Sequence, residues 1–385
     1  RASRLATWMP RAVVTTRRTG RRRARSLVAC DDVRRPRAFS GLGVVTVLTI
    51  DMDRGLPWVD SDAVMSDAQT IYGSPGSLYV ATQRWIDPDT PADALPAGAA
   101  TEIHRFAAAE RAETAYRASG RVSGHLLNQF SLSEHRGDLR VATTETPVWM
   151  GGEEIPSESA VTVLREAGGR LQAVGAVRGM GRGERIYSVR FIEDVGFVVT
   201  FRQTDPLYAL DLTDPVAPRV AGELKIPGYS AYLHPLGDGL LLGVGQDATD
   251  DGRVTGTQLS LFDVSDLARP VRLHQRTIAP SSSSQAEYDH HAFLYWAPSR
   301  LAVLPVDVFG DDGGVFSGAL GFSIDRAAGI AEAGRISHPP ADGVAPPVLR
   351  AAVVGERLFT LSDAGLLASA LAGLAPQAWL PLPPR

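Results

Sequence analysis

The sequence predicts an all-β fold: a β-propeller of four-stranded antiparallel blades, with six complete blades and a partial one in the chain. Three observations predict it. A turn rich in Gly, Asp, Ser or Arg followed by a β-rich run recurs six times along the 385 residues. Each run has further strand-like segments before and after it, enough for a four-stranded meander. Helical signal is poor, because 38 glycines and 26 prolines interrupt the chain too often for many helices of ordinary length.

The recurrent run is Ser77-Leu-Tyr-Val-Ala-Thr, then Asp138-Leu-Arg-Val-Ala-Thr, Gly196-Phe-Val-Val-Thr, Gly239-Leu-Leu-Leu-Gly-Val, Arg300-Leu-Ala-Val-Leu and Arg357-Leu-Phe-Thr-Leu. The starts lie 61, 58, 43, 61 and 57 residues apart. The shortest interval suits a compact blade of roughly 40–45 residues, and the longer ones require loop insertions. First strands are expected at Gln129-Phe-Ser-Leu, Ile186 to Phe191, Ala231-Tyr-Leu, Ala292-Phe-Leu-Tyr and Leu349 to Val354. Third strands are expected at Ile103 to Phe106, Ala160 to Leu164, Leu207 to Leu212, Leu259 to Val264 and Leu320 to Ile324, with weaker fourth strands such as Val220 to Ile226 and Val271 to Ile278. A lone meander of this kind is marginal, because both its faces need cover. Copies packed around an axis cover each other and leave only short edges.

Near the start, Val44 to Asp51 reads as a third strand and Trp58 to Met65 as a fourth, with no first and second strands before them. Two segments are therefore expected: residues 1–43 as a basic insertion within an incomplete first blade, and residues 44–385 as the propeller domain. The chain begins with Arg1 rather than methionine, which points to a processed product or an incomplete gene, so any targeting segment is expected to be missing rather than absent. Arg17, Arg18, Arg21, Arg22, Arg23 and Arg25 crowd together, with an exposed flexible loop as the simplest account and a polyanion-binding patch as the alternative. The paired arginines are no export signal, since only Leu27-Val28-Ala29 follows as an apolar core. Cys30 is the single cysteine and can form no disulfide within the chain.

Composition bounds the function. Hydrophobic residues make up 44% and charged residues 21%, an ordinary globular balance. No apolar run approaches the ~20 residues that a membrane helix needs. The net charge of −4 supplies no field that would favour nucleic acid. Lys225 is the only lysine, which a GC-rich genome explains.

Two acidic motifs stand out, Asp211-Leu-Thr-Asp214-Pro215-Val-Ala-Pro218 and Asp263-Val-Ser-Asp266-Leu-Ala-Arg-Pro270. Paired carboxylates could bind a cation or move protons. Their position at the end of apolar strands, with a following proline, assigns them instead to the turn between third and fourth strands.

Long ordered segments then carry a family resemblance. Gly183-Glu-Arg-Ile-Tyr-Ser-Val-Arg-Phe, Val199 to Tyr208, Gly222 to Pro235, Leu259-Ser-Leu-Phe-Asp-Val-Ser-Asp, Tyr288-Asp-His-His-Ala-Phe-Leu-Tyr and Trp8-Met-Pro-Arg resemble the bacterial and archaeal beta-propeller domain proteins, distant relatives of WD-repeat propellers. The resemblance covers nearly the whole chain. It implies a secreted or envelope-attached protein whose full form carries more N-terminal blades, where Cys30 could find a partner. It brings no activity that can be assigned to particular residues.

Candidate functional residues gather at the junctions into first strands. They are Arg190, beside Glu184 and Arg185; Arg202, with Gln203 and Asp205; Tyr229, Tyr232 and His234; and Asp289, His290 and His291. Alternation along a strand would send His290 and His291 to opposite sides, so the two are not expected to share a metal ion. One of them with Asp289 and His234 could make a His/carboxylate cation site, but no ligand pair at fixed helical spacing supports it. A structural Asp–His pair is the simplest account, with ligand contact in the central funnel next. No Gly-x-Ser-x-Gly elbow or phosphate-binding glycine loop occurs, and Ser281 to Ser284 reads as a flexible loop. Trp85, Trp149 and Trp296 are assigned to blade packing before sugar stacking. The expectation is a monomeric, non-enzymatic binding or scaffolding module outside the cytoplasm, with a protein, peptide or glycan ligand and no catalytic residue, cofactor or metal. The alternative is a hydrolase- or lyase-type enzyme using His234, Asp289 and His290.

Overall fold

Runs of Val, Leu, Ile and Phe bounded by Gly–Asp turns favour short hairpin-linked strands, and the computed structural model is built from them. It describes residues 8–36, 40–53, 59–83, 98–108, 114–146, 156–202, 204–249, 252–310, 315–340, 343 and 345–383. Trp85 and Trp149 lie outside the described residues. The chain divides into two compact units, the first comprising 1–182 with 214–218 and the second 183–213 with 219–385.

In the first unit, blade I consists of Thr70–Gly73, Ser77–Gln83, Ala100–Ala108 and Thr114–Ser123 in meander order. Blade II consists of Leu132–His135, Asp138–Glu145, Glu158–Ala167 and Arg170–Met180. The outer strands of the two blades meet in a short parallel ladder, Arg170 opposite Ser119 and Leu171 opposite Gly120. Arg105 reinforces the junction: it donates to Glu166 at 2.8 Å and to Glu134 at 3.1 Å, and Ser77 also accepts from it. A smaller sheet precedes blade I, with Val59–Val64 antiparallel to Val45–Ile50 and parallel to Val33–Arg34.

The second unit holds blade III (Arg185–Ile192, Val195–Phe201, Thr204–Asp211, Arg219–Pro227) and blade IV (Tyr229–Gly237, Leu240–Ala248, Val254–Asp263, Val271–Thr277). Blade V has a split first strand, Ser282–Ser283 and Leu294–Trp296, both pairing with Leu301–Phe309, followed by Val315–Asp325 and Gly329–Ile336. Blade VI is Arg350–Val354, Arg357–Ser362, Gly365–Ala370 and Pro376–Pro381.

Burial explains the sequence pattern. Second strands are covered on both faces; Asp138–Glu145 and Val195–Phe201 are buried at nearly every residue. They therefore read as continuous apolar runs rather than alternating ones. Fourth strands such as Val271–Thr277 are largely exposed, which is why their signal is weak. Separate cores form between sheets: Ile103, Leu132, Val141 and Leu164 in the first unit, and Phe197, Leu233, Leu241 and Phe262 in the second.

Four local expectations are corrected. The arginine-rich stretch is a hairpin, Arg11–Thr15 paired with Arg22–Ser26, instead of a loop. Gln129–Ser131 is a 3₁₀ turn capped by Asn128, so the first strand of blade II starts at Leu132. The serine run is ordered: Ser282–Ser283 pairs with Leu301–Phe309, and the Ser284 hydroxyl donates to the Pro305 carbonyl at 2.6 Å. His290–Ala292 is a 3₁₀ turn, and the alternation of a strand does not apply to it.

Candidate functional site

The acidic motifs are turn devices. Asp211 accepts from the Thr213 amide at 3.1 Å and Asp214 from the Val216 amide at 3.0 Å. Asp263 and Asp266 repeat the arrangement with the amides of Ser265 and Ala268, both at 3.0 Å. Hydrogen bonds from Thr213 and from Ser265 hold the Asp211 and Asp263 carboxyls below their ordinary range.

The first strands of blades III and IV, with the turn and first strand of blade V, bring most of the candidate residues together in the second unit. The Arg190 Nε donates to the Leu233 carbonyl at 2.8 Å, and its guanidinium carbon lies 5.2 Å from the Tyr232 ring centroid. This is a cation–π contact between strands of adjacent blades. Burial lowers the basicity of Arg190, with the opposing attraction of Tyr232 second. The Tyr232 hydroxyl lies 3.1 Å from His234 Nδ1. His234 is pushed down to about 4, first by burial and then by the Arg190 charge. It is therefore a neutral ring at physiological pH and a poor base.

Blade V completes the wall. Phe293 packs 5.4 Å from Tyr232 and 5.0 Å from His234, and Tyr295 lies 5.5 Å from His234. His290 stacks along Tyr232 at 6.3 Å and lies 3.8 Å from the His291 ring. Asp289 is the N-cap of the 3₁₀ turn and accepts from the His291 amide at 3.0 Å. The same oxygen lies 3.1 Å from His291 Nδ1, and the other accepts from Arg350 Nη2 at 2.6 Å. Burial raises the Asp289 carboxyl, but the His291 hydrogen bonds and the Arg350 charge outweigh it, and the net shift is downward. His290 is lowered by burial and then by the His291 charge.

Two candidates stand apart. Tyr229 belongs to an aromatic cluster with Tyr187 at 4.5 Å and Phe201 at 4.8 Å. Arg202 is exposed beyond the end of Val195–Phe201, close to Gly183. The side chains of Gln203 and Asp205 lie outside the described residues. Trp296 packs against the core shared by blades V and VI.

Several members of the site were missed. Phe293 and Tyr295 resemble ordinary strand residues, and Arg350 lies sixty-one positions from its partner Asp289. Glu287 is a half-buried carboxylate that accepts from Gln246 at 2.6 Å and from the Ser284 amide at 3.0 Å. Desolvation raises it. Its signal was present, because Ser284-Gln-Ala-Glu287 is a capping box.

No helix among the described residues is long and apolar enough to cross a membrane. A family model described as a beta propeller domain matches residues 1–374. An uncharacterized protein of Archaeoglobus fulgidus is 45% identical over 206 residues, 54% of this chain and 30% of that protein. An uncharacterized protein of Methanocaldococcus jannaschii is 43% identical over 187 residues, 49% of this chain and 28% of that protein. The chain thus matches less than a third of the length of these curated relatives. Among solved structures, Saccharomyces cerevisiae Sqt1 aligns with a TM-score of 0.44 at 10% identity, covering 81% of this chain and 84% of that one. A hypothetical selenium-binding protein from Sulfolobus tokodaii aligns with a TM-score of 0.44 at 10% identity, covering 75% and 76%.

Proposed function

The chain belongs to the beta propeller domain family, and from that premise we propose that it is a monomeric, non-enzymatic binding module outside the cytoplasm. Its ligand is a protein, peptide or glycan, contacted by the first-strand residues at the central funnel. Residues 44–385 form the propeller domain, and residues 1–43 form a basic segment that precedes it.

One observation carries this proposal: Arg190, Tyr232, His234, Phe293 and His290 form a continuous run of ring and guanidinium contacts across three blades. Tyr232 and Phe293 are buried and form an aromatic backing, while Arg190, His234 and His290 are partly exposed and offer polar groups for hydrogen bonding. The wall offers no nucleophile paired with a competent base, because His234, pushed down to about 4, has little tendency to take up a second proton at neutral pH.

Glycan and peptide arrays probed with the full chain test the proposal. A specific hit whose affinity drops at least ~10-fold in His234→Ala, a partly exposed member of the wall, supports it, the size expected for a main contact residue. Array silence together with turnover in a hydrolase and lyase screen would overturn it in favour of an enzyme. Fractionation of the source cells tests the extracytoplasmic location, and a cytoplasmic pool would remove that part.

A further inference from the structure

We propose that Asp289, His290 and His291 form a site for a divalent transition metal ion of the zinc class. Each residue offers one ligand atom, and the three atoms lie within 4.8 Å of one another. Two imidazoles and one carboxylate are the donor set that zinc and its neighbours favour over calcium or magnesium.

The 3₁₀ turn makes the set possible. In an extended strand, adjacent side chains leave opposite faces. Here the turn at His290–Ala292 brings the two rings to a centroid distance of 3.8 Å. Zinc–nitrogen bonds of about 2.0–2.1 Å place tetrahedral ligands roughly 3.4 Å apart. From separations of up to 4.8 Å, the cluster must therefore contract by up to ~1.4 Å on binding. The His291 side chain is 67% exposed and has room to turn.

The surroundings already fix the carboxylate. Asp289 Oδ1 accepts from the His291 amide, and Oδ2 accepts from Arg350. Outer contacts of this type orient ligands in metal sites. A carboxylate only accepts, so His291 Nδ1 carries the proton of the 3.1 Å contact with Asp289. A metal ion bound at that nitrogen displaces the proton to Nε2, with no net release from the ring. Three protein ligands leave a coordination position open to solvent.

The site stands independently of the binding-module proposal, since metal affinity is measurable whatever the ligand. The experiment is calorimetric titration of the full chain with Zn²⁺, with Co²⁺ absorption as a check on coordination. Wild type is expected to bind one equivalent with micromolar affinity. His290→Ala and His291→Ala should each weaken binding at least ~10-fold, as loss of a ligand does. Arg350→Ala keeps all three ligands but removes an outer contact of Asp289, so it should weaken binding without abolishing it. His274→Ala, which removes a histidine elsewhere on blade IV, should leave the affinity unchanged. Wild-type binding weaker than about 1 mM overturns the proposal, as does binding that survives both histidine substitutions in folded protein.

Discussion

His104 shows what burial does to a single side chain. It is fully buried in blade I, its Nδ1 lies 3.1 Å from the Tyr116 hydroxyl, and its Nε2 has no hydrogen-bond partner among the described residues. Burial alone pushes it from 6.5 down to about 4. Above pH 6.5 the ring is neutral in both folded and unfolded chains and contributes no slope. Between 6.5 and about 4 the unfolded chain takes up a proton that the folded chain refuses, so stability falls as pH falls. The loss is complete below the folded value and amounts to about 3 kcal/mol. His234 acts in the same direction. Urea melts from pH 7 to pH 4 should show this decline, and His104→Gln should flatten it; an unchanged slope in that variant would place the effect elsewhere.

Strands and turns dock through missing atoms as much as through present ones. On the outer strand of blade III, a Cβ added to Gly222 would collide with the Leu267 carbonyl, in the turn between the third and fourth strands of blade IV. Gly120 on the outer strand of blade I stands in the same relation to Leu171 of blade II. Gly222→Ala is expected to destabilise the protein by about 2 kcal/mol, the usual cost of overpacking, and chemical denaturation measures it. Asp263→Ala removes an acceptor of the Ser265 amide and the ion-pair partner of Arg326. It should cost about 1 kcal/mol, with thermal melting as the check.

Legibility differed at the same scale. Second strands were readable because cover on both faces demands unbroken apolar runs, and the Asp-x-Thr/Ser-Asp turns were readable because their bonds reach only two residues along the chain. The site was half readable. Tyr232, His234 and Asp289 announce themselves as polar groups at strand junctions. Arg350 and Phe293 join them through contacts between blades that no local pattern encodes. The 3₁₀ turn at His290 was hidden inside an apolar context that reads as strand.

Each blade is a local hairpin meander, and cores form where neighbouring blades pack within each unit. Stability in such repeats is close to a sum of nearest-neighbour terms. The chain also divides into two compact units. Urea unfolding is therefore expected to depart from a single two-state transition: tryptophan fluorescence and far-ultraviolet circular dichroism should give different midpoints. Coincident curves would show that the whole chain melts as one cooperative block. The docking glycines also bear on how this sequence can drift. Replacement of lysine by arginine across the surface asks little of the fold, since both reach solvent by flexible stems. A glycine codon at position 120 or 222 has no such latitude: every base change that alters the amino acid adds at least one carbon where a carbonyl already stands. These two sites face in toward a neighbouring blade, and there the chain has almost no mutational neighbours.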